Sequence, residues 1–365
     1  MGSIGVMPPL EIKEQTKVLI ERDVSLRALN TLAIASRAEY FAAIRSEQDL
    51  NAAFAFQRVR QLSWFVLGGG RNVVLPVDYP GLVLAMRMRG VRIEPVNASG
   101  ESQVEAAAGE SWHGLVRRCL GQGLCGIEHL ALIPGTVGAA PMQNIGAYGA
   151  ELADVFVGAR VYLPDEDRFV SLSLTECEFS YRDSVFRHRL RDRAVITSVT
   201  LRLKAQATAR TQYPDVRIEL QCMGSVVPSA IDVAEAVIRV RRRKLPDVRH
   251  HGNVGSFFKN PVVDAAVAET LIARHPALRA STRFDGDNAK LAAAALIESA
   301  GWKGRVVGRV EVWRRQPLVL VNRGGATRED VLALADAIGV DVFERFGVKL
   351  NVEPRLTFDD ALLTT

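Results

Sequence analysis

An α+β protein with mixed strands, arranged in three lobes, is predicted from three observations. The chain has 365 residues, 48% of them hydrophobic, which is enough for more than one packed core. Short apolar runs with strand character alternate with amphipathic helical stretches in its first part, and strand signals recur later. Between them, residues 133–149 are too glycine-rich and too apolar to be a solvated loop or a regular helix.

In order along the chain, Ser46-Glu47-Gln48-Asp49 opens a helix through about Val59. Ser63–Leu67 is a short buried strand that runs directly into Gly68-Gly69-Gly70-Arg71-Asn72, followed by the apolar Val73-Val74-Leu75. Leu82–Leu84 and Val104–Ala108 are strands, and Ser111 caps a helix that carries Leu115, Val116 and Leu120 and stops at Gly121 and Gly123. Strands follow at Gly158–Leu163, Phe169–Leu172 and Ala194–Leu203. Ser229, with Asp232 three residues on, starts a helix through Val240. Further helices are expected near Asp264, Asn288 and Thr327, the last with Asp330 as its capping-box partner. The expected lobes are 1–88, with a tail 346–365 returning to it, 89–245, and 246–345.

Composition excludes several classes. A net charge of +5 suits an anionic ligand but is too small to indicate nucleic acid, and only 7% of the residues are aromatic. The four cysteines (Cys119, Cys125, Cys177, Cys222) lack C-x-x-C spacing, and six histidines without H-E-x-x-H give no metal site. Met1–Leu10 has no basic segment before an apolar run, and the longest apolar stretch, Gly123–Pro141, is broken by Glu128, His129 and Pro134. The chain is expected to be cytoplasmic, without membrane or nucleic-acid partners and monomeric.

Six stretches are weighed for chemistry. Three glycines after a strand let backbone N–H groups approach an anion, although an isolated triplet also fits a simple tight turn. It is not a dinucleotide fingerprint, because Val73 stands where G-x-G-x-x-G needs its last glycine. Residues 133–149 offer backbone and amide donors in a small-residue wall, suited to a flat ring with a phosphate tail; a ligand-free loop this apolar would bury unpaired backbone groups. Arg182, among the aromatics of Phe179–Phe186, either snorkels or holds a carboxylate. Ser256, in Gly252–Pro261, is not a nucleophile elbow and is better suited to donating a proton. Arg239–Lys244 ends a helix in positive charge, with Arg241 and Lys244 on one face and Arg242 and Arg243 pointing elsewhere; helix-dipole compensation and a diphosphate clamp both fit. Glu353, taken alone, is an edge-strand surface carboxylate.

Jointly, Ile133–Gly149 (IPGTVGAAPMQNIGAYG), Tyr181–Phe186 (YRDSVF) and Gly255–Pro261 (GSFFKNP) resemble the UDP-N-acetylenolpyruvoylglucosamine reductase (UDP-N-acetylmuramate dehydrogenase) family. Val66–Leu75, Lys244–Asp247, Lys290–Gly304, Gln316–Asn322 and Phe346–Arg355 follow in the family's order. The resemblance implies a flavin domain of the vanillyl-alcohol-oxidase type with FAD as cofactor. NADPH would reduce the enolpyruvyl ether of a UDP-sugar to the lactyl ether, a step of peptidoglycan synthesis. It implies that Gly68, Gly69, Gly70, Arg71 and Asn72 hold the FAD diphosphate. Ile133, Pro134, Gly135, Thr136, Gly138, Ala139, Gln143, Asn144, Gly146, Ala147, Tyr148 and Gly149 would line the flavin. Arg182, Ser256 and Glu353 would be catalytic, with Ser256 the proton donor and Glu353 paired with Arg182 at the substrate carboxylate. Tyr148, Tyr213, Arg241, Lys244, Asn260, Gln316 and Arg355 would bind the UDP-sugar. The sequence departs from the family pattern at Arg71 (usually serine), Trp313 (commonly histidine) and Asn351-Val352 (usually Glu-Pro). The rival expectations are an FAD oxidase of the same superfamily acting on an alcohol or sugar, and a non-enzymatic nucleotide- or RNA-binding protein using Arg239–Lys244.

Overall fold

A computed structural model describes residues 18–205 and 211–356. The end of the expected returning tail, 357–365, and the N-terminal 1–17 lie outside them. The first sheet orders its strands Ile20–Ser25, Arg37–Ile44, Asp78–Met86 and Ser63–Leu67. The first pair is antiparallel, and both other pairings are parallel. Parallel strands need a crossover, and helix α1 (Glu47–Arg60) makes one between Arg37–Ile44 and Ser63–Leu67, which flank Asp78–Met86. Its start is fixed by a capping box in which Asp49 N donates to Ser46 Oγ and Ser46 N donates to Asp49 Oδ2, each at 3.1 Å. Separate apolar clusters cover the two faces of this sheet, one of them holding Leu50, Ala53 and Phe54 of α1.

The second sheet is antiparallel throughout, in the order Arg168–Ser173, Phe156–Leu163, Val195–Ala205, Glu101–Ala107, Val91–Ile93. Strand Glu101–Ala107 alternates buried and half-exposed residues, as a sheet with one covered face requires. The cover comes from α2 (Trp112–Gly121), α3 (Pro214–Cys222) and α4 (Ala230–Lys244), whose apolar residues form the largest core with it. Helix α3 was not foreseen: Pro214 at its first position starts it, because proline lacks only an N–H that a helix start leaves unpaired anyway.

The third sheet runs Gly252–Ser256, Val319–Asn322, Val310–Val312, Val306–Val307 and packs with α5 (Ala265–Arg274), α6 (Ala293–Ser299) and α7 (Arg328–Phe346). Helix α7 begins on the Thr327–Asp330 capping box and ends at Gly347, φ +65°. No helix starts at Asn288. Asn288–Lys290 is instead the central strand of a three-stranded sheet with Val262–Asp264 and Arg283–Asp285, and this pairing overrides the local helical signal until Ala293. Finally, Arg355–Leu356 pairs in parallel with Val73–Val74, which brings residues 355 and 356 beside the glycine loop. No helix among the described residues is long and apolar enough to cross a membrane.

Candidate active site

A cleft of about 1560 Å³ lies where the three sheets meet. One wall is the loop after Ser63–Leu67. Gly70 has φ +63°, and a Cβ there would sit 1.8 Å from Leu29 O, so the turn admits only glycine. A Cβ on Gly68 would lie 2.6 Å from Thr136 Oγ1, and one on Gly69 would lie 3.0 Å from Gly135 Cα. The Gly68–Gly70 and Gly135–Thr136 backbones therefore face each other with only glycine-sized clearance. Thr136 Oγ1 is buried there without a hydrogen-bond partner, and such a group costs about 1–3 kcal/mol unless something accepts its proton. A cradle of bare backbone with one orphaned hydroxyl fits a diphosphate, and so fits the dinucleotide tail of FAD.

Beyond this loop, Asn72 Nδ2 donates to Gln143 Oε1 at 2.6 Å, and Gln143 Nε2 donates to Glu353 Oε1 at 3.1 Å. The two amides thereby fix the carboxyl of Glu353. Arg182 approaches the same oxygen from the other side, Nε to Oε1 3.6 Å, while its Nη2 donates to Gly146 O at 2.5 Å. It sits at a tight corner closed by reciprocal backbone bonds between Ser180 and Asp183, with φ +56°, a region costly for a side chain and common where a site over-determines the backbone. Lys259 Nζ donates to Arg182 O at 3.4 Å. Burial raises the Glu353 carboxyl above its ordinary value, against the pull of Arg182, Lys259 and Arg187. Burial likewise lowers Lys259 and Arg187. The expectation of a surface carboxylate at Glu353 is thus overturned: its side chain is 12% exposed and surrounded by cations.

Ser256 lines the same cleft and follows a bulge. Asn253 pairs with Val321 but Ser256 with Val319, so one extra residue is accommodated near Gly255, φ +82°, which re-aims the following side chain. The next segment carries Glu353: Glu353 N donates to Phe257 O at 2.9 Å and Lys259 N to Asn351 O at 2.8 Å. Ser256 and Glu353 therefore lie on neighbouring paired segments, although they are far apart in sequence.

The other end of the cleft is cationic. Arg241 and Lys244, in the last turn of α4, line it as their spacing predicts, but Arg242 lines it as well, because the helix end abuts the cleft rather than one of its sides. Arg243 turns away to Glu219, at 2.8 Å. Tyr148 lies beside the Arg241 charge and meets Tyr213 edge to face, centroids 5.2 Å apart. Lys244 Nζ pairs with Asp215 Oδ2 at 2.7 Å, and its carbonyl accepts from Trp313 Nε1 at 3.1 Å.

Three expected site residues do not line the cleft. Asn144 is buried as a hub, donating to Glu151 Oε2 and Ser180 O and accepting from Ala153 N. Gly149, φ +83°, makes the turn between the paired segments Gly146–Ala147 and Ala150–Glu151. Asn260 Oδ1 accepts from Ala293 N, at the start of α6, at 3.0 Å. Arg355 does line the cleft, where it is tied to Asp192 and lies over the Phe65 ring at 4.8 Å. The remaining expected residues line the cleft, Gln316 among them. Arg187, Lys259 and Asp215 were missed. The first two adjoin motifs already singled out, and Asp215 is recognisable only once α3 is known.

Residues 247–357 match the family model described as UDP-N-acetylenolpyruvoylglucosamine reductase, C-terminal domain, and residues 38–170 match an FAD binding domain. The chain is 49% identical to the UDP-N-acetylenolpyruvoylglucosamine reductase of Bordetella pertussis, over 90% of this chain and 93% of that one. It is 45% identical to that of Ralstonia nicotianae, over 92% and 98%. Among solved structures, the UDP-N-acetylenolpyruvylglucosamine reductase of Thermus caldophilus superposes with TM-score 0.65 over 93% of this chain and 99% of that one, at 23% identity, a likeness of fold.

Proposed function

The chain belongs to the UDP-N-acetylenolpyruvoylglucosamine reductase family, and from that premise we propose that it uses FAD and NADPH to reduce the enolpyruvyl ether of UDP-N-acetylglucosamine to UDP-N-acetylmuramate, for peptidoglycan synthesis. Gly68–Gly70, Asn72 and Thr136 would hold the cofactor diphosphate, and the small residues of the 133–148 wall would line its ring. When bound, FAD supplies a hydride taken from NADPH to C3 of the alkene.

The chain's own residues then manage charge and a proton. Charge grows at C2 and on the substrate carboxylate. Arg182 is fixed by Gly146 O and Glu353, and it stabilises that charge more than it stabilises the ground state. Arg187 and Lys259 add to the positive field around the same point. Ser256 Oγ–H delivers the proton to C2; an enolate carbon is basic enough to take it from an ordinary hydroxyl. Glu353, held by Gln143, orients Arg182 and keeps the corner from being purely cationic. Arg241 and Lys244 meet the UDP diphosphate.

The observation that carries this reading is the convergence of Arg182, Glu353 and Ser256 from three segments beside a glycine-sized cradle with an orphaned hydroxyl. The test is anaerobic absorbance of the purified holoprotein. NADPH should bleach the yellow flavin band, and the enolpyruvyl UDP-sugar should restore it. Restoration by an alcohol or sugar, or none by the enolpyruvyl compound, refutes the assignment.

A further inference from the structure

Arg71 belongs by sequence to the glycine loop, but its electrostatic neighbours belong elsewhere. It lines the same cleft as Arg241, at the end of α4, and Asp247, just beyond it, and their charges act on its guanidinium. A count of charge at this end of the cleft leaves an excess. Lys244, which meets the UDP diphosphate in the reading above, already has a counter-charge in Asp215 at 2.7 Å. Asp247 is committed to Arg249, which donates to both its oxygens and, through its backbone N, to Oδ1 at 2.9 Å. Among the described residues, neither Arg71 nor Arg241 has a carboxylate within 4 Å, and Arg241 Nε is buried without a partner. Burial and the like charge of Arg241 pull the Arg71 guanidinium down to about 10, still protonated at neutral pH but under-compensated.

We propose that Arg71 and Arg241 together form a two-guanidinium seat for the diphosphate of the nucleotide substrate, so that Arg71 sets affinity for the incoming nucleotide rather than for the cofactor. The cofactor's diphosphate is already served by the bare backbone of Gly68–Gly70 and by Thr136 Oγ1. A diphosphate carries the two negative charges that two forked, unpaired cations lack. The seat rests on the reading given above, since that reading brings a UDP group into this cleft.

The test compares the FAD-loaded full chain with Arg71→Ser and Arg71→Lys. Calorimetry with UDP itself measures the seat, and fluorescence titration of deflavinated protein measures FAD affinity. Arg71→Ser should weaken UDP about tenfold, the loss of one hydrogen bond to a charged group, while FAD affinity stays within about twofold. Arg71→Lys should recover part of the loss, and the KM for the enolpyruvyl UDP-sugar should rise in parallel. A rise in the KM for NADPH as well would make the seat common to both nucleotides, which also supports it. Weaker FAD binding with unchanged UDP affinity would overturn the proposal by returning Arg71 to the cofactor, and no change in either would overturn it outright. Absence of UDP binding by the unmutated holoprotein would instead refute the functional reading on which the seat depends.

Discussion

Two glycines close to the cleft should respond oppositely to the same added methyl group. In Gly68→Ala the new Cβ would stand 2.6 Å from Thr136 Oγ1, the end of a side chain that rotation can move. The fold should lose only about 1 kcal/mol. The rotated hydroxyl, however, leaves the cradle, and the methyl occupies the approach to bare backbone. Loss of one hydrogen bond to a charged diphosphate is about 1.5–3 kcal/mol, or about ten- to a hundredfold in the FAD Kd. In Gly138→Ala the Cβ would stand 2.5 Å from Ala108 Cβ and 3.1 Å from Ala108 Cα, atoms that cannot swing aside. That is overpacking of the fold, about 1–3 kcal/mol or more, and it should lower Tm by about 2–4 °C for each kcal/mol. Deflavinated proteins are melted without FAD and then titrated with FAD by flavin fluorescence. Gly68→Ala should keep the melting curve and lose the cofactor, and Gly138→Ala should lose the melting curve first. If the Gly68→Ala apoprotein melts as far down as Gly138→Ala, or binds FAD at full strength, the cradle assignment is wrong.

Arg182→Ala should lower kcat about 10²–10³-fold with FAD content unchanged, measured by steady-state turnover and flavin absorbance. Ser256→Ala should leave flavin bleaching by NADPH intact and slow recovery of colour with the enolpyruvyl substrate; stopped-flow in which both half-reactions slow equally contradicts the proton-donor role. Burial holds the Glu353 carboxyl above 4.5. Its contribution to stability is therefore full below the unfolded pKa and is lost as pH rises through the folded one. Glu353→Gln removes that loss, so thermal melts should find the variant more stable than the parent at neutral pH and indistinguishable from it below about pH 4.5, while its turnover falls.

The glycine loop and the 133–149 wall were legible in the sequence because their signal is local. A triplet of glycines after a strand, or a run of small residues too apolar for a loop, needs no tertiary knowledge to stand out. Asn144, Gly149 and Asn260 misled for the same reason. Asn144 has the amide expected of a ligand contact, but it spends that amide on Glu151, Ser180 and Ala153, and Asn260 caps α6. Polar side chains are needed to satisfy turn backbones as often as to hold ligands, and residue type does not distinguish the two uses. Arg242 was misassigned because helical spacing gives relative faces, not what the end of a helix abuts.

Glu353 marks where local reading must stop. Its short strand, read alone, is a sheet edge, and a carboxylate on a sheet edge is normally solvated. Two long-range pairings change that. Phe258 bridges Val352, and Arg355–Leu356 joins Val73–Val74, so residues 352–356 are threaded between the Ser256 segment and the glycine loop. Asn72, on that loop, then orients Gln143, and Gln143 orients Glu353. The same strand pairing that buries the carboxylate thus supplies the amides that hold it and sets it against Arg182. Because burial outweighs three nearby cations in raising its pKa, the corner carries more positive charge than one carboxyl neutralises. A site in that state favours a second carboxylate arriving from outside, which is what an enolpyruvyl group brings.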